Sequence, residues 1–171
     1  EFDMGTLERR RKIWIYLPEG YENSNKEYPV LYMHDGQNLF DRSTSFAGEW
    51  EVDETLDQLS ESQALELIVV GIENDGQQRM HEYVPYKLKS YDSRVEGAAY
   101  VQFITEVLKP YVDRNYRTLE DREHTGVMGS SLGGLISFYA CMEFEEYFGM
   151  AGVFSPSFQI IDPEIQKEEI I

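Results

Sequence analysis

Apolar positions along the chain fall into short blocks that switch between two periods. Ile13, Ile15 and Leu17 alternate with Trp14 and Tyr16, so both faces of residues 11–17 are apolar and the segment reads as a strand covered on two sides. Pro18 and Gly20 break it, and residues 21–27 form a polar turn. Residues 30–33 (Val-Leu-Tyr-Met) are continuously apolar, as a central strand should be, and run into a loop at His34-Asp35-Gly36-Gln37-Asn38. Val52, Leu56 and Leu59 then recur at helical spacing behind Glu49, Glu51, Asp53 and Glu54. Acids there suit the positive end of a helix dipole, which predicts a helix over 51–60. Residues 65–72 read as another buried strand, ended by the turn at 73–76.

Residues 77–97 are polar and aromatic without a clean period. A loop of that length in a compact domain usually carries function or is at least partly ordered by side-chain packing. Tyr100, Phe103, Ile104, Val107, Leu108 and Tyr111 predict a helix over 98–114, with a kink or a weak point at Pro110. A short strand over 125–128 leads into a glycine-rich turn. The apolar helix after it is expected to stop at Gly149, and a last strand spans 151–154. Strand and helix alternate, and the strands are nearly continuously apolar. The pattern predicts an α/β fold with a largely parallel sheet and helices on both faces. Ligands bind beyond the carboxyl ends of such strands. The loops 34–38, 73–86, 130–132 and 155–158 all follow strands and should converge on one rim.

The glycine-rich turn is Gly129-Ser130-Ser131-Leu132-Gly133, a Gly-x-Ser-x-Gly pattern between a strand and a helix. That context fits a nucleophile elbow, in which a strained turn lifts a serine hydroxyl clear of the sheet. Small residues must flank the serine, and the Leu132 N–H at the helix start can point at an oxyanion. A serine hydroxyl is a weak nucleophile near neutral pH and needs a base, normally a histidine held by a carboxylate. The competing reading is a glycine-rich turn that merely packs a helix closely on a strand.

The blocks at 28–41 (YPVLYMHDGQNLFD), 70–74 (VGIEN), Arg79 with Glu82-Tyr83, 128–134 (MGSSLGG) and 149–157 agree in order and spacing with one family. On these residues the chain resembles the putative-esterase branch of the α/β-hydrolases, which holds feruloyl-esterase-like, enterochelin-esterase-like and S-formylglutathione-hydrolase-like enzymes. The resemblance implies a three-layer α/β-hydrolase fold and serine-dependent hydrolysis of a carboxylic ester. It makes Ser131 the nucleophile and the Leu132 N–H one oxyanion donor, with a second near Gly36 or Gln37. The family order is serine, then acid, then histidine. Here His34, His81 and His124 all precede Ser131, and neither Asp162 nor Glu164 fits the position of the acid. The expectation is a single, incomplete domain over 1–171 that lacks the C-terminal strands and helices with the acid and base. Its isolated turnover is expected to be weak or absent. Two alternatives share the same residues: a non-catalytic binding or assembly module on this fold, and an acyltransferase.

Around the elbow, His34, Trp50, Arg79 and Tyr83 are candidates for a substrate rim. Trp50, Tyr83 and Tyr86 could form an aromatic wall, with ordinary packing as the alternative. Arg79 and Glu82 could form an ion pair that shapes the loop, or contact a polar substrate. His34 reads first as a structural residue bonding backbone, His81 as a surface or rim residue, and His124 as lying at the far end of the sheet. Asp35 and Asn38 lack the glycine and glutamate spacing of a calcium loop, so no metal and no cofactor are expected.

The chain has 171 residues, 32 acidic against 15 basic, for a net charge of −17. That balance disfavours nucleic acid or an anionic membrane as partner and leaves a small-molecule ester as the expected one. A strand missing from the sheet would leave an edge suited to a homo-oligomer. A single cysteine, Cys141, rules out an intrachain disulfide and fits a cytoplasmic protein. No apolar run reaches transmembrane length and no signal-peptide pattern opens the chain. The first residue is Glu1, so an upstream segment is expected to have been removed or left out.

Overall fold

A computed structural model describes residues 1–62, 65–88 and 94–161. Part of the long loop of residues 77–97, and Asp162 and Glu164, lie outside the described residues.

Five strands form the central sheet: β3 (Ile13–Tyr16), β4 (Val30–His34), β5 (Ile68–Ile72), β6 (Thr125–Ser130) and β7 (Met150–Phe154), in the order β3-β5-β4-β6-β7. A small hairpin of β1 (Phe2–Asp3) and β2 (Arg10–Arg11) precedes them. β4, β5, β6 and β7 are parallel, and β3 joins antiparallel to β5. In register, His34 lies opposite Ile72 and Met33 opposite Met128, so β4 and β5 end at one level and β6 runs just past it to Ser130. The reading of β3 as a strand covered on both sides is corrected. It is the edge strand, and all four of its residues are only partly buried.

Period-two alternation sorts the strand side chains into two layers. Val30, Tyr32, Ile68, Val70 and Val127 join one core with Tyr100, Ile104, Leu135 and Ile136. Met33 and Val69 join the other with Leu56, beneath α1 (Val52–Glu61). A short helix, α2 (Arg79–Glu82), follows β5. Helices thus cover both faces of a mostly parallel sheet.

Two helices depart from the simplest reading. Residues 97–115 form one continuous rod made of α3 (Gly97–Gln102), a π-helical stretch (Phe103–Leu108) and α4 (Lys109–Asn115). Pro110 has no N–H to give, and its ring crowds the carbonyl one turn back. The ladder widens just ahead of it: the Lys109 N–H reaches the Ile104 carbonyl five residues back. The buried Thr105 hydroxyl satisfies the Val101 carbonyl at 3.2 Å. The proline therefore shifts the ladder and does not end the helix. The second helix, α5 (Leu132–Glu143), stops six residues short of Gly149. Glu143, Glu145 and Glu146 sit where the helix dipole is negative, which opposes a longer helix. Phe148 instead turns back, fully buried against Tyr32.

Candidate active site

Ser131 sits between β6 and α5 with φ 58° and ψ −118°. A residue with a β-carbon rarely adopts positive φ, so neighbouring structure must impose it. The Ser131 N–H donates to the Phe154 carbonyl at 3.0 Å, and its carbonyl accepts the Ser157 N–H at 3.1 Å. A β-carbon on Gly129 would lie 2.7 Å from the Gly133 backbone, and one on Gly134 would lie 2.8 Å from the Phe154 carbonyl oxygen. At Gly133 the nearest atom would be 3.4 Å away, an ordinary contact. The small residues that close the turn are therefore Gly129 and Gly134; Gly133, the motif's second glycine, is the less constrained. The first amides of a helix have no intrahelical acceptor, so the Leu132 N–H is available to a ligand's oxygen.

The strand-end loops meet around Ser131 at a cavity of about 690 Å³. Ser130 and Ser131 contribute from the elbow, His34, Asp35, Gln37, Asn38 and Leu39 from the loop after β4, and Asn74, Gly76 and Arg79 from the loop after β5. Phe46, Ala47 and Trp50 complete the wall. Trp50 is 40% exposed and meets the Phe154 ring edge-on at 6.1 Å, and Phe46 is 94% exposed. Phe46 and Trp50 are tied to the polar loop after β4 through Asn38, so apolar and aromatic surface adjoins the polar wall.

Gly36 is pressed against β5, where a β-carbon would come within 2.6 Å of the Gly71 backbone. The chain turns there because Asp35 adopts φ 58°. Asp35 also knits the polar wall. Its carboxylate accepts from Arg79 Nε at 2.7 Å and Nη2 at 2.8 Å, and from Asn74 Nδ2 at 2.6 Å. The Asn74 N–H in turn donates to Gln37 Oε1 at 3.1 Å. A two-pronged Arg–carboxylate pair fixes orientation as well as distance. It ties the Gly36–Gln37 loop to the loop after β5. Sequence reasoning missed this network, because the sign and spacing of charges say nothing about which carboxylate a distant arginine meets.

Other expected residues fall elsewhere. Arg79 does not pair with Glu82, which is buried between Arg9 at 2.9 Å and Arg11 at 2.7 Å. Tyr83 and Tyr86 are buried in the core, so neither lines the rim. The Tyr83 hydroxyl instead accepts the Asp35 N–H at 3.1 Å, beneath the pocket floor. His34 lines the pocket but is 2% exposed, with Nδ1 2.9 Å from the Tyr100 hydroxyl. Burial pushes its pKa down to about 4, against the pull of Asp35, so the ring is neutral at pH 7. His81 Nδ1 lies 3.2 Å from the Arg94 carbonyl, and His124, at the start of β6, bonds Asp121 at 2.8 Å. None of the three is bonded to Ser131 among the described residues. The partner of the Ser131 hydroxyl is Ser157, Oγ to Oγ at 3.0 Å.

One carboxylate cluster stands out among the described residues: Glu49, Asp53 and Glu54 bring ligand oxygens within 4.8 Å of one another. Such groups are common on acidic surfaces without an ion, and burial with mutual repulsion raises the pKa of both Glu49 and Asp53. Among the described residues no helix is long and apolar enough to cross a membrane.

A model of the family described as Putative esterase matches residues 5–168. The uncharacterized protein YbbA of Bacillus subtilis (strain 168) is 30% identical over 154 residues, which cover 86% of this chain and 57% of that protein. The apo-salmochelin esterase of Escherichia coli O6:H1 is 28% identical over 163 residues, 86% of this chain and 48% of that protein. The crystal structure of an IroE-like serine hydrolase from Shewanella oneidensis is similar with a TM-score of 0.76 at 26% identity, covering 94% of this chain and 51% of that one. The chain thus spans about half the length of these relatives.

Proposed function

The chain belongs to the Putative esterase family, and from that premise we propose that it forms the nucleophile half of a serine-dependent carboxylic ester hydrolase. Ser131 attacks the ester carbonyl. The Leu132 N–H and an N–H of Gly36 or Gln37 receive the developing oxyanion, each donor contributing roughly 3–4 kcal/mol in comparable sites. The observation that carries this reading is the strained Ser131, held at positive φ at a strand-to-helix junction and opening onto the shared pocket. Two relatives that carry esterase in their names, the apo-salmochelin esterase and the endo-1,4-beta-xylanase/feruloyl esterase of Xylanibacter ruminicola, support an ester as substrate. A small-molecule ester fits a cavity of about 690 Å³, and its apolar part would lie against Trp50 and Phe46. The acid and base belong to a part of the protein beyond the described residues. The 171-residue chain on its own would then turn over poorly, keeping only what the oxyanion donors supply.

The test is covalent. A fluorophosphonate probe applied to the full-length gene product should label Ser131, located by peptide mass, and Ser131→Ala should abolish both labelling and hydrolysis of an activated ester. An unlabelled Ser131 in a folded, full-length protein would sink the reading.

A further inference from the structure

Ser157 has no part in the mechanism above, yet its hydroxyl is the hydrogen-bond partner of the nucleophile, 3.0 Å from Ser131 Oγ. It is 7% exposed and makes no other side-chain hydrogen bond among the described residues. The contact is built from both sides. Ser157 N–H holds the Ser131 carbonyl, the Phe154 carbonyl holds the Ser131 N–H, and Ser155 between them is itself at φ 41°. A loop carrying its own positive-φ residue is thereby clamped onto the elbow.

Proton accounting decides what this contact can do. Each hydroxyl has one proton to donate. If Ser131 donates to Ser157, the proton that a base must remove is turned into the protein. If Ser157 donates, the Ser131 proton stays free for the base and an Oγ lone pair is fixed in place.

We propose that Ser157 is a further catalytic residue of this site, donating its hydroxyl proton in a hydrogen bond to Ser131 Oγ; the proposal rests on the esterase reading above. As the ester is attacked, the Ser131 proton passes to the general base. The Oγ–carbon bond forms, and the carbonyl π pair moves onto the oxyanion. Ser157 keeps its own proton throughout. Its hydrogen bond strengthens while Ser131 Oγ carries partial negative charge, because bonds to charged oxygen are about twice as strong as neutral ones.

Phosphonylation of Ser131 in the full-length gene product tests this without knowledge of the natural ester. The Oγ–phosphorus bond forms there as fluoride leaves and the proton passes to the base. Ser157→Ala should lower the saturating rate constant roughly 10- to 100-fold with the probe's half-saturation concentration unchanged, and Ser157→Thr, which keeps the hydroxyl, should recover most of the loss. Ser157→Cys keeps the volume and offers a weaker donor, so it carries the test if the alanine variant does not fold, and it too should be slow. Circular dichroism and thermal melts establish that each variant is folded. Wild-type rates in Ser157→Ala or Ser157→Cys would overturn the role of Ser157 and leave the esterase reading standing. No labelling of wild-type Ser131 would overturn both.

Discussion

Ser131 is held at φ 58°, a conformation that costs a residue with a β-carbon on the order of 1–3 kcal/mol. Its surroundings impose that cost, so its removal should show as stability. Ser131→Gly should be more stable to urea than Ser131→Ala by about 1–2 kcal/mol, the reverse of the usual order in ordered structure, because both lack the hydroxyl and only glycine is at ease there. Equal stabilities would mean that the turn is not strained. Arg79 acts through electrostatics. Its pair with Asp35 is partly open to solvent, with 25% and 13% of the two side chains exposed, so truncation should cost less than at a fully buried pair. Arg79→Ala is expected to lower stability by roughly 1–3 kcal/mol, and Arg79→Lys to recover only part of it because a single ammonium cannot reproduce the two-pronged contact. His34 carries a pH signature. Its folded pKa of about 4 lies below its ordinary 6.5, so the unfolded chain binds the extra proton first as pH falls. Its contribution is complete above about pH 6.5 and is lost progressively towards pH 4. Between pH 7 and pH 5 this amounts to about 2 kcal/mol. Paired denaturation curves should show that wild type loses this much more than His34→Gln over the interval.

The elbow and the long helix of residues 97–115 show how elements are made by close approach as well as by propensity. Alanine at Gly129 or Gly134 would drive a β-carbon into backbone at 2.7 or 2.8 Å, whereas at Gly133 it would meet ordinary contacts. Gly129→Ala and Gly134→Ala should therefore destabilise by about 2–4 kcal/mol and slow probe labelling, with Gly133→Ala milder by more than 1 kcal/mol. Thermal melts of the three variants would expose an error if Gly133→Ala were the worst. The Gly-x-Ser-x-Gly spacing located this turn in the sequence but named the wrong second glycine. Which glycine meets backbone depends on where Phe154 of β7 passes, and that is a tertiary fact. Pro110 is the same lesson in reverse. Proline chemistry forbids a regular ladder at that point, and the chain satisfies it with a π-helical stretch, an outcome that local pattern does not choose between kink, break and bulge.

For the whole molecule, the decisive feature is the open side of the sheet. β7 has one hydrogen-bonded neighbour, β6, among the described residues, and Met150 and Phe154 on it are half exposed. An unpaired strand edge invites pairing with another chain. The net charge of −17 opposes such contact until salt screens it; the screening length is roughly 10 Å at 0.1 M. The isolated 171-residue chain should therefore self-associate more at high salt, and Ala151→Lys on the exposed edge should reduce that association. A salt-independent monomer in sedimentation experiments would contradict this.

The sequence by itself determined the α/β alternation, the central strand at 30–33, the two-sided helical cover, the meeting of strand-end loops and the position of the tight strand-to-helix turn at Ser131. Each follows from local periodicity, or from backbone constraints that glycine and proline impose on their immediate neighbours. Only the tertiary structure decided that β3 is a half-buried edge. Only it showed that Tyr83 supports the pocket floor from below, that Arg79 meets Asp35 and not Glu82, and that Ser157 reaches the Ser131 hydroxyl. Those are contacts between residues 26 to 48 positions apart. No periodicity spans such separations; the register of the parallel strands sets them, and with them the identity of the groups that surround the elbow.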